Sequence, residues 1–268
     1  MDSFNPLEGL MLDSLASLIW PFCRVSGTLA TMMVISGTSV PTRVRAMLAL
    51  VITICMLPSI PAVSASELQP FSLAGFLVTI NEVLIGAAMG FMTQYLSQVF
   101  VIAGQTVAMQ TGLGFASMVD PVSGTNAPIV GQFFTILTTL SFFAVDGHLL
   151  LFKMIVLSFE TLPISVSGFE AIQLTPLISF GSTMFMCGIA MAMSSICTML
   201  VVNFTFGVMT RAAPQLNVFS MGFAISMVVG LFVVVGSLNA YPGNFYNAAN
   251  QIFEAGCHII GTSCDGPF

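Results

Sequence analysis

Phe71 to Thr106 reads FSLAGFLVTINEVLIGAAMGFMTQYLSQVFVIAGQT, a run whose only charged side chain is Glu82. A membrane-crossing helix needs about 20 predominantly apolar residues, so this stretch predicts one helix considerably longer than a span. The rest of the chain has the same character: 56% hydrophobic, 6% charged, with a mean hydropathy of +1.00. A soluble domain carries about 25% charged residues, which excludes a water-facing globule. The expected fold class is an all-α membrane-type protein of long, partly broken helices and helical hairpins.

On either side of this run lie further apolar segments: Leu10 to Ser36, interrupted by Trp20, Pro21 and Arg24, and Val44 to Pro61, entered by Arg43 and Arg45. Beyond it come Ile129 to Val145, Leu149 to Pro163, Leu174 to Met209 and Val218 to Leu238. No internal repeat is evident. Asp2, Glu8 and Asp13 precede or enter the first segment, where a cleaved secretory signal would carry positive charge; the amino terminus is expected to be retained. The net charge of −6 comes without a basic run, so a nucleic-acid partner is excluded.

Charge conflicts with a simple topology. If Arg43, Arg45 and Arg211 all face the cytoplasm, an even number of crossings separates them, yet the apolar segments between them are Val44 to Pro61, Phe71 to Thr106, Ile129 to Val145, Leu149 to Pro163 and Leu174 to Met209. Either one segment fails to cross or the rule does.

Between the long run and Ile129 lies Gly112 to Asn126, GLGFASMVDPVSGTN. Its freed backbone groups cannot be satisfied by hydrocarbon, so at membrane depth it must be buried in protein or line a watery cavity. It is the candidate gate. Met adapts to irregular surfaces and apolar constrictions close by dewetting, which singles out Phe115 and Met118 as a seal. Most of the other methionines are expected to fill a helical core.

Small residues at helical spacing, Gly86 with Gly90 and Ala190 with Ser194, predict close helix packing, within the chain or at a subunit interface. Glu82, Asp146, His148, Lys153, Glu160 and Asn203 stand in or beside apolar segments, where ionisable groups are functional candidates. Asp146, His148 and Lys153 are drawn either as a proton relay or, the preferred reading, as a helix-to-helix turn around Gly147. Glu82 is expected to pair with a partner chain or with a buried base. Cys23, Cys55, Cys187 and Cys197 are expected to pack as small hydrophobes. Cys257 and Cys264 flank a polar segment holding His258, where a disulfide or a metal site can be drawn but is not the preferred reading, since the spacing matches no usual zinc pattern; no metal or other cofactor is expected. Gly112 and Gly114 lack the βαβ context of a dinucleotide site, the Asn203-Phe204-Thr205 sequon lies in an apolar segment, and no nucleophile and base are set together. An enzyme is not expected.

The run Met209 to Phe223, MTRAAPQLNVFSMGF, with Gln110 to Ala116 (QTGLGFA), Asp120-Pro121, and Phe143, Gly147 and His148, resembles the FliR family of flagellar biosynthetic proteins over nearly the whole chain. Thr210 and Ala224 stand where the family pattern has Asn and Pro. The resemblance implies a subunit of the flagellar type III secretion export gate at the bacterial inner membrane, in the flagellar basal body. The partners implied are several copies each of FliP and FliQ, with FlhB at the cytoplasmic face and the rod above. The assembled cone is held largely on the periplasmic side and passes unfolded substrates. It further implies a FliP-like part at 1–173 and a FliQ-like hairpin with a C-terminal segment at 174–268. The plug falls on Gly112, Gly114, Phe115, Met118, Asp120, Pro121, Gly124 and Asn126; assembly contacts fall on Glu82, Arg211, Pro214, Gln215 and Asn217. The alternatives are the gate homologue of a virulence injectisome, a proton-coupled secondary transporter and an inert scaffold.

Overall fold

The structure, a computed structural model, describes residues 6–37, 40–60, 72–114, 129–165, 174–212 and 218–262. The described residues form helices and turns and contain no strand. Helix α1 spans Pro6–Thr31, with Pro21 inside it, and α2 spans Thr42–Met56, closed by a short 3-10 turn at Leu57–Ser59. The Phe71 to Thr106 run becomes α3, Leu73–Thr111, which stops where Gly112 adopts φ +79°; the left-handed conformation ends a helix and suits glycine. Then come α4 (Ile129–Ala144), α5 (Gly147–Thr161), α6 (Leu174–Ala212), α7 (Val218–Leu238) and α8 (Tyr241–Ile259).

Helices α3 and α6 each have 39 residues. At 1.5 Å per residue that is about 58 Å, roughly twice the hydrocarbon thickness of a bilayer. Three described helices are long and apolar enough to cross a membrane, or up to five spans if the bent pairs α4 with α5 and α7 with α8 each count as one.

The chain divides into two compact units that interleave in sequence. The first comprises Met1–Tyr95, Phe143–Phe180 and Gln251–Pro267. Its core joins Trp20, Val25 and Leu29 of α1 with Val78, Ile85 and Met89 of α3, and Leu151, Ile155 and Phe159 of α5. Here the Gly86 and Gly90 expectation holds. A Cβ on Gly86 would collide with the Arg24 carbonyl oxygen, one on Gly90 with that of Thr28, and one on Gly27 would come within 2.6 Å of the Val83 carbonyl oxygen. Backbones of α1 and α3 therefore touch directly, and Thr31 Oγ1 donates to the Ala87 carbonyl at 3.0 Å across the seam.

The second unit comprises Leu96–Phe142 and Gly181–Asn250, with Phe268. The rings of Phe100, Phe134, Tyr241 and Phe245 form its aromatic centre, with Phe100 and Tyr241 centroids 5.0 Å apart. Ala103, Val107 and Ala192 pack with Met191, Ile196 and Val234. The Ala190 and Ser194 pair has no such neighbour, since both residues are exposed. Interleaving is a property of packing; the expected boundary between FliP-like and FliQ-like parts is one of resemblance and falls at the first residue of α6.

Met89, Met92, Met154 and Met199 are buried as expected, but Met186 and Met193 on α6 face outward. The cysteines also differ from expectation: Cys23, Cys55, Cys187 and Cys197 are free thiols, and none is fully buried, with Cys55 and Cys197 on exposed apolar helix faces. Cys257 is buried and disulfide-bonded.

Candidate functional site

The gate candidate is rooted at the end of α3. Gly112 has the positive φ that ends the helix, and a Cβ there would stand 2.9 Å from the ring of Phe223 on α7. One turn along α7, Ser226 Oγ donates to the Phe223 carbonyl at 2.9 Å and lies 3.5 Å from the Thr111 carbonyl oxygen. Gly230, a further turn on, leaves room for the Thr111 side chain, which presses into the space its Cβ would occupy. Gly114 sits against Met109, whose sulfur lies 3.0 Å from the position of a Cβ. The structure thus brings together the Gln110 to Ala116 block and the Met209 to Phe223 block, which are far apart in sequence: Gly112 of one lies under Phe223 of the other. Phe115, Met118, Asp120, Pro121, Gly124 and Asn126 lie outside the described residues, as do Pro214, Gln215 and Asn217. Arg211 is exposed in the last turn of α6, where a cation complements the helix dipole.

Glu82 has its partners inside the chain. Its carboxylate accepts from Arg24 Nε at 2.6 Å and from Arg24 Nη2 at 2.9 Å, and both side chains are sealed from solvent, at 0% exposure for Arg24 and 1% for Glu82. The remaining guanidinium hydrogens are also used: Nη2 donates to the Leu162 carbonyl at 2.9 Å, and Nη1 donates to the Ser158 carbonyl at 2.9 Å and to Ser158 Oγ at 3.0 Å. All five donors of the planar fork therefore have acceptors. The cation also lies 4.0 Å from the centroid of the Phe159 ring, a cation–π contact. Ser158 lies in the last turn of α5 and Leu162 closes that helix, its N–H donating to the Ser158 carbonyl at 2.9 Å, so Arg24 ties α1, α3 and the end of α5 at one point. Of the two partners expected for Glu82, a buried base within the chain is present. In sequence Arg24 only interrupts an apolar segment; a lone arginine there, in a chain with five basic residues, is the signal of a buried partner.

The relay candidates do not form a chain of hydrogen bonds among the described residues. Asp146 adopts φ 56°, its N–H donates to the Phe143 carbonyl at 3.1 Å, and its own carbonyl accepts from Leu149 N–H at 2.9 Å. That is a turn, as preferred. Asp146 and Lys153 are exposed, and His148 packs its ring 5.2 Å from that of Phe143. No cluster of His, Cys, Asp and Glu suited to a metal ion occurs among the described residues.

Comparison with known proteins adds to this geometry. The family model of bacterial export proteins, family 1, matches residues 15–252. The chain is similar to the flagellar biosynthetic protein FliR of Escherichia coli (strain K12), 35% identical over 241 residues, covering 90% of this chain and 91% of that protein. It is 31% identical over 260 residues to FliR of Pectobacterium carotovorum subsp. carotovorum, covering 97% and 98%. To FliR of Aquifex aeolicus (strain VF5) it is 30% identical over 245 residues, covering 90% and 93%.

Proposed function

The chain belongs to family 1 of the bacterial export proteins, and from that premise we propose that it is a subunit of the flagellar type III export gate. With several copies of FliP and FliQ, and FlhB at the cytoplasmic face, it forms a conduit for unfolded flagellar substrates and catalyses no reaction. The conduit sits at the inner membrane in the flagellar basal body, largely on the periplasmic side. The loop from Gly112 to Asn126 keeps it shut, with Phe115 and Met118 as the seal, Asp120, Pro121 and Asn126 shaping the loop, and Gly124 giving it freedom to move.

The observation that carries this reading is the seat of Gly112 under Phe223. It gives the loop a fixed root on the helix that follows the Arg211 to Asn217 connection. Helices of about 58 Å, longer than a bilayer requires, support an assembly extending beyond the membrane. Arg211, Pro214, Gln215 and Asn217 serve assembly at neighbouring subunits. Glu82 serves it indirectly, by holding α1, α3 and α5 in the shape those neighbours meet. The flagellar names of the relatives favour this gate over that of an injectisome. The transporter reading is disfavoured, because the Glu82 carboxylate is already held by Arg24.

The test is ion and small-molecule leak in cells co-expressing the chain with FliP and FliQ, with and without a deletion inside Gly112 to Asn126. Leak confined to the deletion is the expected result. A fully assembled deletion complex that stays tight would assign closure to the partners and leave the loop a connector.

A further inference from the structure

Two helices of the first unit meet their surroundings with opposite chemistry. On α5 the charged side chains share one stripe: Asp146 at its start, then Lys153 and Glu160, each seven residues on and all exposed. Seven residues make close to two helical turns, so the three stand in line. Helix α2 has no such stripe. From Val44 to Ile54 each of its exposed side chains is apolar, Met47 at 71% exposure among them, and its buried residues are Ala49 and Thr53. The one hydroxyl in that stretch is satisfied inside the helix, where Thr53 Oγ1 donates to the Ala49 carbonyl at 2.7 Å.

The width and length of this apolar surface narrow down what covers it. With 3.6 residues per turn, Val44, Met47, Leu50, Val51 and Ile54 sweep more than half of the circumference of α2. Ala49 and Thr53 lie on the remaining side, and α2 packs against α1. A neighbouring helix covers a stripe of another helix, whereas acyl chains follow a convex surface of any width. Helix α2 and its 3-10 turn together run for 18 residues, Thr42–Ser59, about 27 Å at 1.5 Å per residue. That matches a hydrocarbon core of about 30 Å, which α3 and α6 exceed nearly twofold. Where such a helix leaves the hydrocarbon it needs a group that suits the headgroup layer, and Arg43 is exposed there. Arg45 is drawn back instead: its Nη2 donates to the Gly37 carbonyl at 3.3 Å and fastens the first turn of α2 to the residues before it.

We propose that α2 with its 3-10 turn is the lipid-clothed anchor of this chain: acyl chains cover its outward surface from Val44 to Ile54, and Arg43 meets anionic headgroups of the leaflet at its N-terminal end. A base at the end of an apolar helix extends to just that layer. The α5 stripe marks where this cover stops, because exposed Asp, Lys and Glu in line are costly in hydrocarbon. An anchor of one span suits an assembly carried largely on the periplasmic side, since it asks neither α3 nor α6 to cross. Lipid cover of α2 is independent of what the chain transports; FliP and FliQ enter only as the neighbours present in the test.

The full chain, co-expressed with FliP and FliQ, is reconstituted in vesicles of phosphatidylcholine and phosphatidylglycerol. It carries one ketone-linked spin label, on p-acetylphenylalanine in place of Val51, Arg43 or Lys153. Relaxation by oxygen, which partitions into hydrocarbon, is compared with relaxation by a soluble nickel chelate and by a nickel-chelating lipid. Oxygen should dominate at Val51, the nickel lipid should act at Arg43, and oxygen should not dominate at Lys153. A Val51 label reached by neither oxygen nor soluble nickel lies under a subunit, and one dominated by soluble nickel lies in water; either result overturns the proposal. So does an Arg43 label untouched by the nickel lipid, or oxygen dominating at Lys153. Co-purification of FliP and FliQ is scored separately: a chain that retains neither loses the gate reading, while Val51 still reports lipid or its absence.

Discussion

Around Glu82, charge inside an apolar helix is matched donor by donor: five guanidinium hydrogens of Arg24 meet acceptors on α3 and α5, and solvent is excluded. Along α6 from Leu200 to Ala212 the situation is reversed, because no residue there is buried and Leu200, Val201, Phe204 and Val208 stand in the open, Phe204 at 74% exposure. Polar residues in the first region find their partners within the chain, and apolar residues in the second do not. Burial in this protein thus follows the availability of a partner more closely than it follows hydropathy. A helix as apolar as α6 must be covered by lipid or by other subunits, whereas the Arg24 knot is complete in the isolated chain.

This contrast can be broken most forcefully at Arg24. Removing one member of a buried ion pair leaves the other uncompensated, at about 3–5 kcal/mol. Arg24→Met and Glu82→Gln should each give a chain that loses protease resistance in detergent. Because apolar replacement of both partners is far better tolerated, Arg24→Met with Glu82→Met should be more stable than either single variant. Purely additive losses would show that the pair is not the knot described.

A smaller effect is expected at the glycines. Gly86→Val forces a side chain onto the Arg24 carbonyl and should cost about 1–3 kcal/mol as overpacking. Gly181→Ala on α6, where nothing lies within 4 Å, should be neutral or stabilising by up to about 1 kcal/mol. Thermal unfolding of the two variants in one detergent compares them, and equal losses would remove the distinction between seam and open helix. The smallest change in stability belongs to Phe204→Ser, within about 0.5 kcal/mol for the isolated chain. Its effect should appear instead as reduced co-purification of FliP and FliQ. Undiminished recovery of both would identify lipid as the cover of this face.

How far residues alone foretold these features depended on whether the signal was local. Apolar runs between Gly, Pro and Asp gave the helices, and Asp146-Gly147-His148 was readable as a turn because its φ and hydrogen bonds are set by neighbours. The Gly86 and Gly90 spacing marked a seam within the chain; the same spacing at Ala190 and Ser194 meets no neighbour within the chain, since spacing selects a helix face without naming what covers it. Arg24 is 58 residues from Glu82, and only folding brings the two together. Gly112 is legible in sequence only as the start of the glycine-bearing loop, and the ring of Phe223 beneath it lies in a different sequence block. The seal residues Phe115 and Met118, beyond that root, stand on sequence and family resemblance.

The seam between α1 and α3 has a mechanical consequence. Where Gly27, Gly86 and Gly90 meet the opposing backbone, no rotatable bond separates the two helices. Such a contact freezes no rotamers when it forms and offers no soft layer that can yield first on heating or under load. Over this length the pair should bend and twist as one thick strut, so that a push delivered to either helix is felt by both at once.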